Sequence, residues 1–145
     1  MEINNKKARF DYFIEEEMEC GIVLKGTEIK AIRAGLANIK DCYAIIRNNE
    51  VFLLNMHISK YEEGSIFNHD ETRTRKLLLH KKEILKLKDK LTLQGYTLIP
   101  IKLYFKNNRA KILLGVCKGK KNYDKRETIK KRDNEREIKA ALKYK

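Results

Sequence analysis

The segment HDETRTRKLLLHKK, residues 69–82, concentrates the side chains of this sequence that are best suited to bind an anion. Arg73 and Arg75 are two residues apart, so an extended chain directs both guanidinium groups toward one face. Each guanidinium can donate paired hydrogen bonds to a phosphate, and Lys76 adds a further cation. Three planar side chains lie nearby: Tyr61, Phe67 and His69. Planar groups among cations suit stacking on unpaired RNA bases, although a solvated loop explains the segment equally well and RNA is not distinguished from DNA.

Reactive side chains elsewhere do not form a recognisable catalytic or metal site. The chain has three cysteines and three histidines: Cys20, Cys42, Cys117, His57, His69 and His80. The cysteines are widely spaced, with no CxxC pair, and no Ser, Asp or Cys accompanies a histidine as in a catalytic triad. We therefore expect buried, reduced thiols, no metal, no cofactor and no enzymatic activity. A nuclease is the alternative from another class, but it usually needs clustered carboxylates, and a second acidic cluster is not recognisable.

Composition indicates one domain with a cationic surface. The chain has 145 residues and a formal net charge of +13, with 42% apolar and 37% charged residues. Such a surface attracts polyanions, so nucleic acid is the first expected partner and an anionic membrane surface the second. The sequence has no stretch of about 18 apolar residues and no signal-peptide core in MEINNKKARF, so we expect a cytoplasmic protein without a transmembrane span. Of the two candidate partners we expect nucleic acid and no membrane.

Residues 10–24 alternate between apolar and polar side chains with a period of two. The apolar face contains Phe10, Tyr12, Ile14, Met18, Cys20, Ile22 and Leu24, with Glu16 as an interruption. The opposite face contains Asp11, Glu15, Glu17 and Glu19. This pattern predicts a long strand or a hairpin with one solvated acidic side.

Two short helices are predicted from caps and spacing. Residues 26–35 offer Thr27 as the N-cap and Gly35 as the stop. Helical spacing recurs later in the chain at three positions: Ile84, Leu87 and Leu91. We expect this second helix to end at Gly95.

Asparagine pairs predict two hairpins. They stand between β-rich segments at four positions: Asn48, Asn49, Asn107 and Asn108. Asparagine tolerates the positive φ of tight hairpin turns, and Pro100 should mark an edge, a bulge or a strand junction. About six strands with two short helices predict a mainly β fold, a small closed antiparallel β-barrel of the OB type. An open α+β sheet stays possible from the pattern alone.

The C-terminal segment is strongly basic and has few apolar residues. Residues 118–145 contain 12 Lys or Arg and 5 Asp or Glu, a net charge of +7. The sequence DKRE at residues 124–127 has capping-box spacing, and the residues that follow are good helix formers. We predict that residues 1–118 form the OB-type barrel and that residues 119–145 form a tail that is disordered when free and helical when bound to a polyanion.

Three segments together, KKARFDYFIEEEMECGIVLKGTEIKAIRAG, RTRKLLLHKKEI and GKKNYDKRETIKKRD, resemble the SmpB family of SsrA-binding proteins. The resemblance implies an OB-type barrel with a basic tail and no enzymatic activity. It implies binding to the tRNA-like part of transfer-messenger RNA, and delivery of that RNA to stalled ribosomes with the elongation factor that carries aminoacyl-tRNA. The tail would act in the decoding centre and the empty mRNA channel of the ribosome.

The resemblance also assigns roles to particular residues. Glu19, Leu78 and His80 would contact RNA from the barrel, with His80 standing where the family often has Asn. Tyr123 would stack on ribosomal RNA near the decoding centre. From the residues themselves, the capping-box spacing predicts that Asp124 caps the tail helix. The basic character of the tail predicts phosphate contacts from Lys120, Lys121, Lys125, Arg126, Lys130, Lys131 and Arg132. The alternative function is a general single-strand RNA-binding or ribosome-associated OB-fold protein.

Overall fold

The computed structural model describes residues 2–61 and 68–120, and over these ranges the chain is mainly β with short helices. The helices are α1 (Lys6–Asp11), α2 (Gly26–Arg33) and α3 (Lys81–Gln94). The strands are β1 (Glu2–Asn4), β2 (Tyr12–Ile22), β3 (Ala37–Asn38), β4 (Tyr43–Arg47), β5 (Glu50–Leu54), β6 (His57–Ile58), β7 (Arg75–Leu78), β8 (Thr97–Lys106) and β9 (Arg109–Gly119). Phe67 and the tail from residue 121 lie outside the described residues. The predicted mainly β class with short helices is confirmed.

Seven strands form one antiparallel sheet in the order β1-β8-β4-β5-β7-β2-β9, and β8 also pairs with β9. The short strands β3 and β6 pair separately. Among the described residues, buried apolar side chains from seven strands and two helices form the main core. They include Cys20, Ile32, Ala44, Val51, Leu53, Leu77, Leu87, Leu98, Leu103, Ile112 and Leu114.

Both predicted hairpins are present, and each turns at an asparagine pair with positive φ. The φ angles are 52° at Asn48, 58° at Asn49, 51° at Asn107 and 62° at Asn108. Arg47 pairs with Glu50 across the first turn, and Lys106 pairs with Arg109 across the second. Two-residue loops with positive φ at both positions match the right-handed twist of the flanking strands, which explains why asparagine occupies them.

The predicted irregularity at Pro100 is a shift of strand register. The pairing of β8 with β9 shifts between Pro100 and Lys102, because proline has no backbone hydrogen to donate to the ladder. The Pro100 carbonyl instead accepts a hydrogen bond of 2.9 Å from the buried side chain of Asn5. This contact ties the start of the chain to the long hairpin.

The first long strand begins two residues later than the alternation predicted. Phe10 belongs to α1, and β2 starts at Tyr12. Asn5 explains the difference, because its side-chain oxygen accepts a hydrogen bond of 3.2 Å from the Ala8 N–H and thereby caps a short helix. Helix α1 was missed in the sequence because it lies inside an apolar–polar alternation that also fits a strand.

Glu16, which interrupts the apolar face of β2, is bound by helix α3. Lys90 Nζ lies 2.6 Å from Glu16 Oε2, and Lys86 Nζ lies 3.3 Å from Oε1. The hydrogen bond from Lys90, followed by that from Lys86, lowers the pKa of Glu16. The inward-facing carboxylate is therefore a docking point for α3.

The predicted C-terminal ends of the two longer helices are confirmed, whereas the predicted N-cap of α2 is wrong. Gly35 (φ 77°) follows α2 and Gly95 (φ 68°) follows α3, as expected for glycine at helix C-termini. Thr27 is not the N-cap of α2; Lys25 occupies that position, and its N–H donates to Glu28 Oε1 at 2.8 Å. The first turn of α2 therefore contains a buried glutamate, Glu28.

The three cysteines are buried and free, as predicted. Burial raises the pKa of Cys20 and of Cys42 to about 12, and that of Cys117 to about 11. Within residues 2–61 and 68–120, His, Cys, Asp and Glu do not assemble into a group of three that could hold a metal ion. In the same part of the chain, no helix combines the length and the apolar character that a bilayer crossing requires.

Candidate nucleic-acid interface

The outward faces of β2, β9 and β8 meet at the second hairpin. Gly21 of β2 lies opposite Lys111 of β9, and Lys111 lies opposite Tyr104 of β8. Outward side chains from these strands and from β7 therefore form a continuous group around the Asn107–Asn108 turn. We call this group the hairpin patch: Glu19, Leu78, Tyr104, Lys106, Arg109 and Lys111.

Glu19 is the one carboxylate among the six residues of the hairpin patch, and two side chains of β8 hold it. Tyr104 Oη donates a hydrogen bond of 2.5 Å to Glu19 Oε2, and Lys106 Nζ lies 3.5 Å from the same oxygen. The Tyr104 hydrogen bond and the Lys106 charge lower the pKa of Glu19, while burial and the nearby carboxylate raise the pKa of Tyr104. Glu19 is thus ionised at neutral pH, and Tyr104 is a neutral donor.

Leu78 occupies the neighbouring part of the hairpin patch. It is 51% exposed and lies opposite Gly21, where a Cβ atom would approach Leu78 Cβ to 3.2 Å. A pocket beside Leu78 and a pocket beside Glu19 share two cations, Arg109 and Lys111. The structure therefore brings Glu19 and Leu78 together, on one face and around common basic residues.

Lys76 and His80 flank this region. Lys76 alternates with buried residues of β7 and faces outward like Leu78, with Nζ 3.2 Å from Glu50 Oε1. His80 is exposed and precedes α3, and its backbone N–H donates to Glu83 Oε1 at 3.1 Å. Both side chains are accessible to a ligand.

Arg73 and Arg75 do not form the exposed phosphate fork that their spacing suggests. Arg75 is completely buried, and its Nε donates a short hydrogen bond to Glu28 Oε2. Arg73 Nη2 lies 2.5 Å from Glu28 Oε1. The other donors of Arg75 bond to the backbone carbonyls of Met56, Asp70, Glu71 and Arg73. The phosphate role expected for Arg75 does not fit this position, because its hydrogen bonds are used to fasten α2 to the segment before β7.

Glu28, the acceptor for both arginines, is fully buried at the start of α2. Burial by itself would raise the pKa of this carboxyl. The hydrogen bonds from Arg73, the Lys25 N–H and Arg75 outweigh burial and hold the pKa below its usual value. One ionised carboxylate thus compensates two guanidinium groups.

His69 is likewise a structural residue and not an exposed stacking group. It is 1% exposed, and its Nε2 donates a hydrogen bond of 2.8 Å to the Ile58 carbonyl. Its Nδ1 lies 2.9 Å from the Thr27 hydroxyl, which links α2 to β6. Tyr61 is half-buried, with Lys30 Nζ 5.9 Å from its ring centroid. The predicted stacking cluster is therefore not assembled among the described residues.

The cations and the tyrosine around the second turn were not predicted from the sequence. Their signal is the segment LYFKNNRAK, residues 103–111, in which cations stand on both sides of an asparagine turn. A two-residue hairpin places Lys106 beside Arg109. The turn and the alternation must be considered together to place these side chains on one face. Glu19 lies 85 residues before Tyr104, so only the tertiary structure shows that it belongs to the same patch.

Lys120 is the last described residue and remains attached to the sheet. Its backbone N–H donates a hydrogen bond of 2.8 Å to the Asp11 carbonyl, and its Nζ lies 5.1 Å from the Phe13 ring centroid. The other tail residues with predicted roles lie outside the described residues: Lys121, Tyr123, Asp124, Lys125, Arg126, Lys130, Lys131 and Arg132.

A basic patch on the surface of a small, mainly β domain is typical of nucleic-acid-binding proteins. The family model described as "SmpB protein" matches residues 2–144, and the chain belongs to that family.

Several relatives are named SsrA-binding protein. The one from Bacillus subtilis is 62% identical over 138 residues, which are 95% of this chain and 88% of that protein. The one from Clostridium tetani is 62% identical over 144 residues, covering 97% and 92% respectively. A solved structure described as "tmRNA-SmpB: a journey to the center of the bacterial ribosome" contains a similar chain. It has a TM-score of 0.70 and 46% identity, over 83% of this chain and 85% of that one.

Proposed function

We propose that this protein is the RNA-binding adaptor of trans-translation, which binds the tRNA-like part of transfer-messenger RNA and delivers it to stalled ribosomes. The observation that carries the proposal is the hairpin patch, in which Glu19 can accept a hydrogen bond from a base edge and lies among basic side chains. The chain that presents this patch belongs to the SmpB family. The names of the relatives and the description of the similar solved structure support the choice of RNA and of the ribosome as partners.

The proposed architecture is a closed OB-type barrel formed by residues 1–118, followed by a basic tail of residues 119–145. The strand pairings support closure, because they pass from β8 through β4, β5, β7, β2 and β9 back to β8. Such a barrel has no unpaired edge within the ring and offers its outer face to a ligand. We place the protein in the cytoplasm, where ribosomes operate.

In this proposal the barrel and the tail have separate roles. Glu19, Leu78 and His80 contact the tRNA-like RNA, and Lys76 supplies a phosphate contact. Arg73 and Arg75 support this surface indirectly, by holding α2 in place through Glu28. The elongation factor that carries aminoacyl-tRNA participates through the charged RNA. The adaptor needs no cofactor and performs no catalysis.

The tail acts in the decoding centre and in the mRNA channel when no message fills it. Tyr123 stacks on a ribosomal RNA base, and Asp124 caps the helix that forms there. The phosphate contacts come from Lys120, Lys121, Lys125, Arg126, Lys130, Lys131 and Arg132. These contacts offset the loss of entropy when the tail becomes ordered.

Competition binding tests the barrel role. The full chain should prefer the tRNA-like RNA over a random single strand of equal length at the same salt concentration. Glu19→Gln should reduce this preference about tenfold, because one good base contact contributes on the order of 1–3 kcal/mol of discrimination. Lys88→Ala, an exposed lysine of α3 outside the hairpin patch, is the matched control. Equal affinity of the wild-type protein for the two RNAs would favour the general single-strand-binding alternative.

A further inference from the structure

The two oxygens of the Glu19 carboxylate have different surroundings. Oε2 accepts the hydrogen bond from Tyr104 Oη and faces Lys106 Nζ. The hydrogen bond and the ion pair described for this carboxylate both involve Oε2, and the Glu19 side chain is 36% exposed.

The type of donor bound to Oε2 affects how well Oε1 can accept a hydrogen bond from a ligand. A hydroxyl is neutral, so it orients the carboxylate without cancelling its charge, whereas a close ion pair with lysine would compete with any incoming donor. Lys106 Nζ lies farther from the carboxylate than the hydroxyl does, 3.5 Å against 2.5 Å. Oε1 therefore remains a charged and oriented acceptor. The amino group of an unpaired nucleobase is a donor of matching chemistry.

A carboxylate on an RNA-binding surface also repels phosphates, and the hairpin patch contains the cations that offset this repulsion. Arg109 and Lys111 line both the pocket beside Glu19 and the pocket beside Leu78. A nucleotide whose base reaches Glu19 would therefore have its phosphates near these two side chains. Leu78 offers an apolar surface to the adjacent sugar or base.

We propose that Tyr104 is a positioning residue for base selection, which fixes the Glu19 carboxylate so that Oε1 accepts a hydrogen bond from a nucleobase amino group, while Arg109 and Lys111 bind the flanking phosphates. This inference rests on the proposed function and adds the device that makes the barrel selective. Tyr104 acts through Glu19, and the two cations act on every RNA alike.

Tyr104→Phe tests the inference, because it removes the hydroxyl and keeps the ring. The preference for the tRNA-like RNA over a random strand should fall about tenfold, the effect of losing one oriented charge-assisted hydrogen bond. The salt dependence of binding should stay unchanged, since no cation is lost. Arg109→Ala and Lys111→Ala should instead weaken binding to both RNAs and each reduce the salt slope by about one.

Tyr96→Phe is the matched control. The nearby Glu15 carboxylate of β2 raises the pKa of Tyr96, so Tyr96→Phe removes a tyrosine hydroxyl beside a glutamate of the same strand, away from the hairpin patch. It should keep the wild-type preference. In the Glu19→Gln background, Tyr104→Phe should have no further effect on the preference, because the group that it positions is already absent.

Carbon NMR of the Glu19 carboxyl separates positioning from a merely structural role. In Tyr104→Phe the pKa of Glu19 should rise toward its ordinary value, although Lys106 and Lys111 still face the carboxylate. An unchanged preference in Tyr104→Phe, with wild-type protein still selective, would overturn the inference and leave the proposed function standing. A wild-type protein without preference would overturn the proposed function itself.

Discussion

Removal of residues 122–145 should abolish ribosome rescue while leaving binding of the tRNA-like RNA within about twofold of wild type. The last strand, β9, ends at Gly119, and Lys120 is already tied to Asp11 by a backbone hydrogen bond, so the cut lies beyond the described sheet. The deletion removes a cationic segment and leaves the hairpin patch complete. RNA affinity and peptidyl transfer to alanyl transfer-messenger RNA on ribosomes with truncated message are the two measurements.

A milder variant tests whether the tail must become helical. Ile129→Pro should spare RNA binding and impair rescue, because proline inside a helix costs about 3 kcal/mol or more. Ile129→Ala is the control, since it shortens the same side chain and keeps helix propensity high. Full rescue by the tail-less protein would contradict the role proposed for the tail. Full rescue by the proline variant would contradict the prediction that the tail must become helical.

Glu28→Gln should lower the free energy of unfolding by about 3 to 5 kcal/mol, the range typical of removing one partner from a buried ion pair. The reason is Arg75, which is completely buried and would keep its charge without a compensating carboxylate. Arg73 would lose the same partner. Urea unfolding measures the effect, and Glu50→Gln is the control. Its exposed pair with Lys76 should contribute less than about 1 kcal/mol.

The same cluster gives stability a defined pH dependence. The folded-state pKa of Glu28 lies below its ordinary value, so its contribution is present above that value, about 4.3, and is lost as the pH falls through the folded pKa. Wild-type protein should therefore lose more stability than Glu28→Gln on acidification below pH about 4. If Glu28→Gln lowered the free energy of unfolding at neutral pH no more than Glu50→Gln does, the buried cluster would not be needed for the fold.

Features that depend on one or two residues were predicted from the local sequence. The asparagine pairs at the two turns need positive φ, glycines end α2 and α3, and Pro100 interrupts a ladder because it lacks a donor. Alternation also identified the two faces of β2 correctly. These features depend on neighbours in the chain, so they are visible before the fold is known.

The arginines show where such reasoning fails. Spacing predicted that Arg73 and Arg75 point to one side, and both do contact one carboxylate. That side is occupied by Glu28, 45 residues earlier than Arg73, and not by solvent. Which face of a strand another element covers depends on tertiary packing, so a buried ion pair and an exposed phosphate site have the same local pattern.

Peptidyl transfer on stalled ribosomes tests the proposed adaptor role. Ribosomes that hold a peptidyl-tRNA on a truncated message would be mixed with alanyl transfer-messenger RNA and the elongation factor, with and without the full-length protein. The peptide should be transferred to the RNA when the protein is present, and transfer should be close to background without it. Equal transfer in the two mixtures would contradict the assignment of this protein as the adaptor.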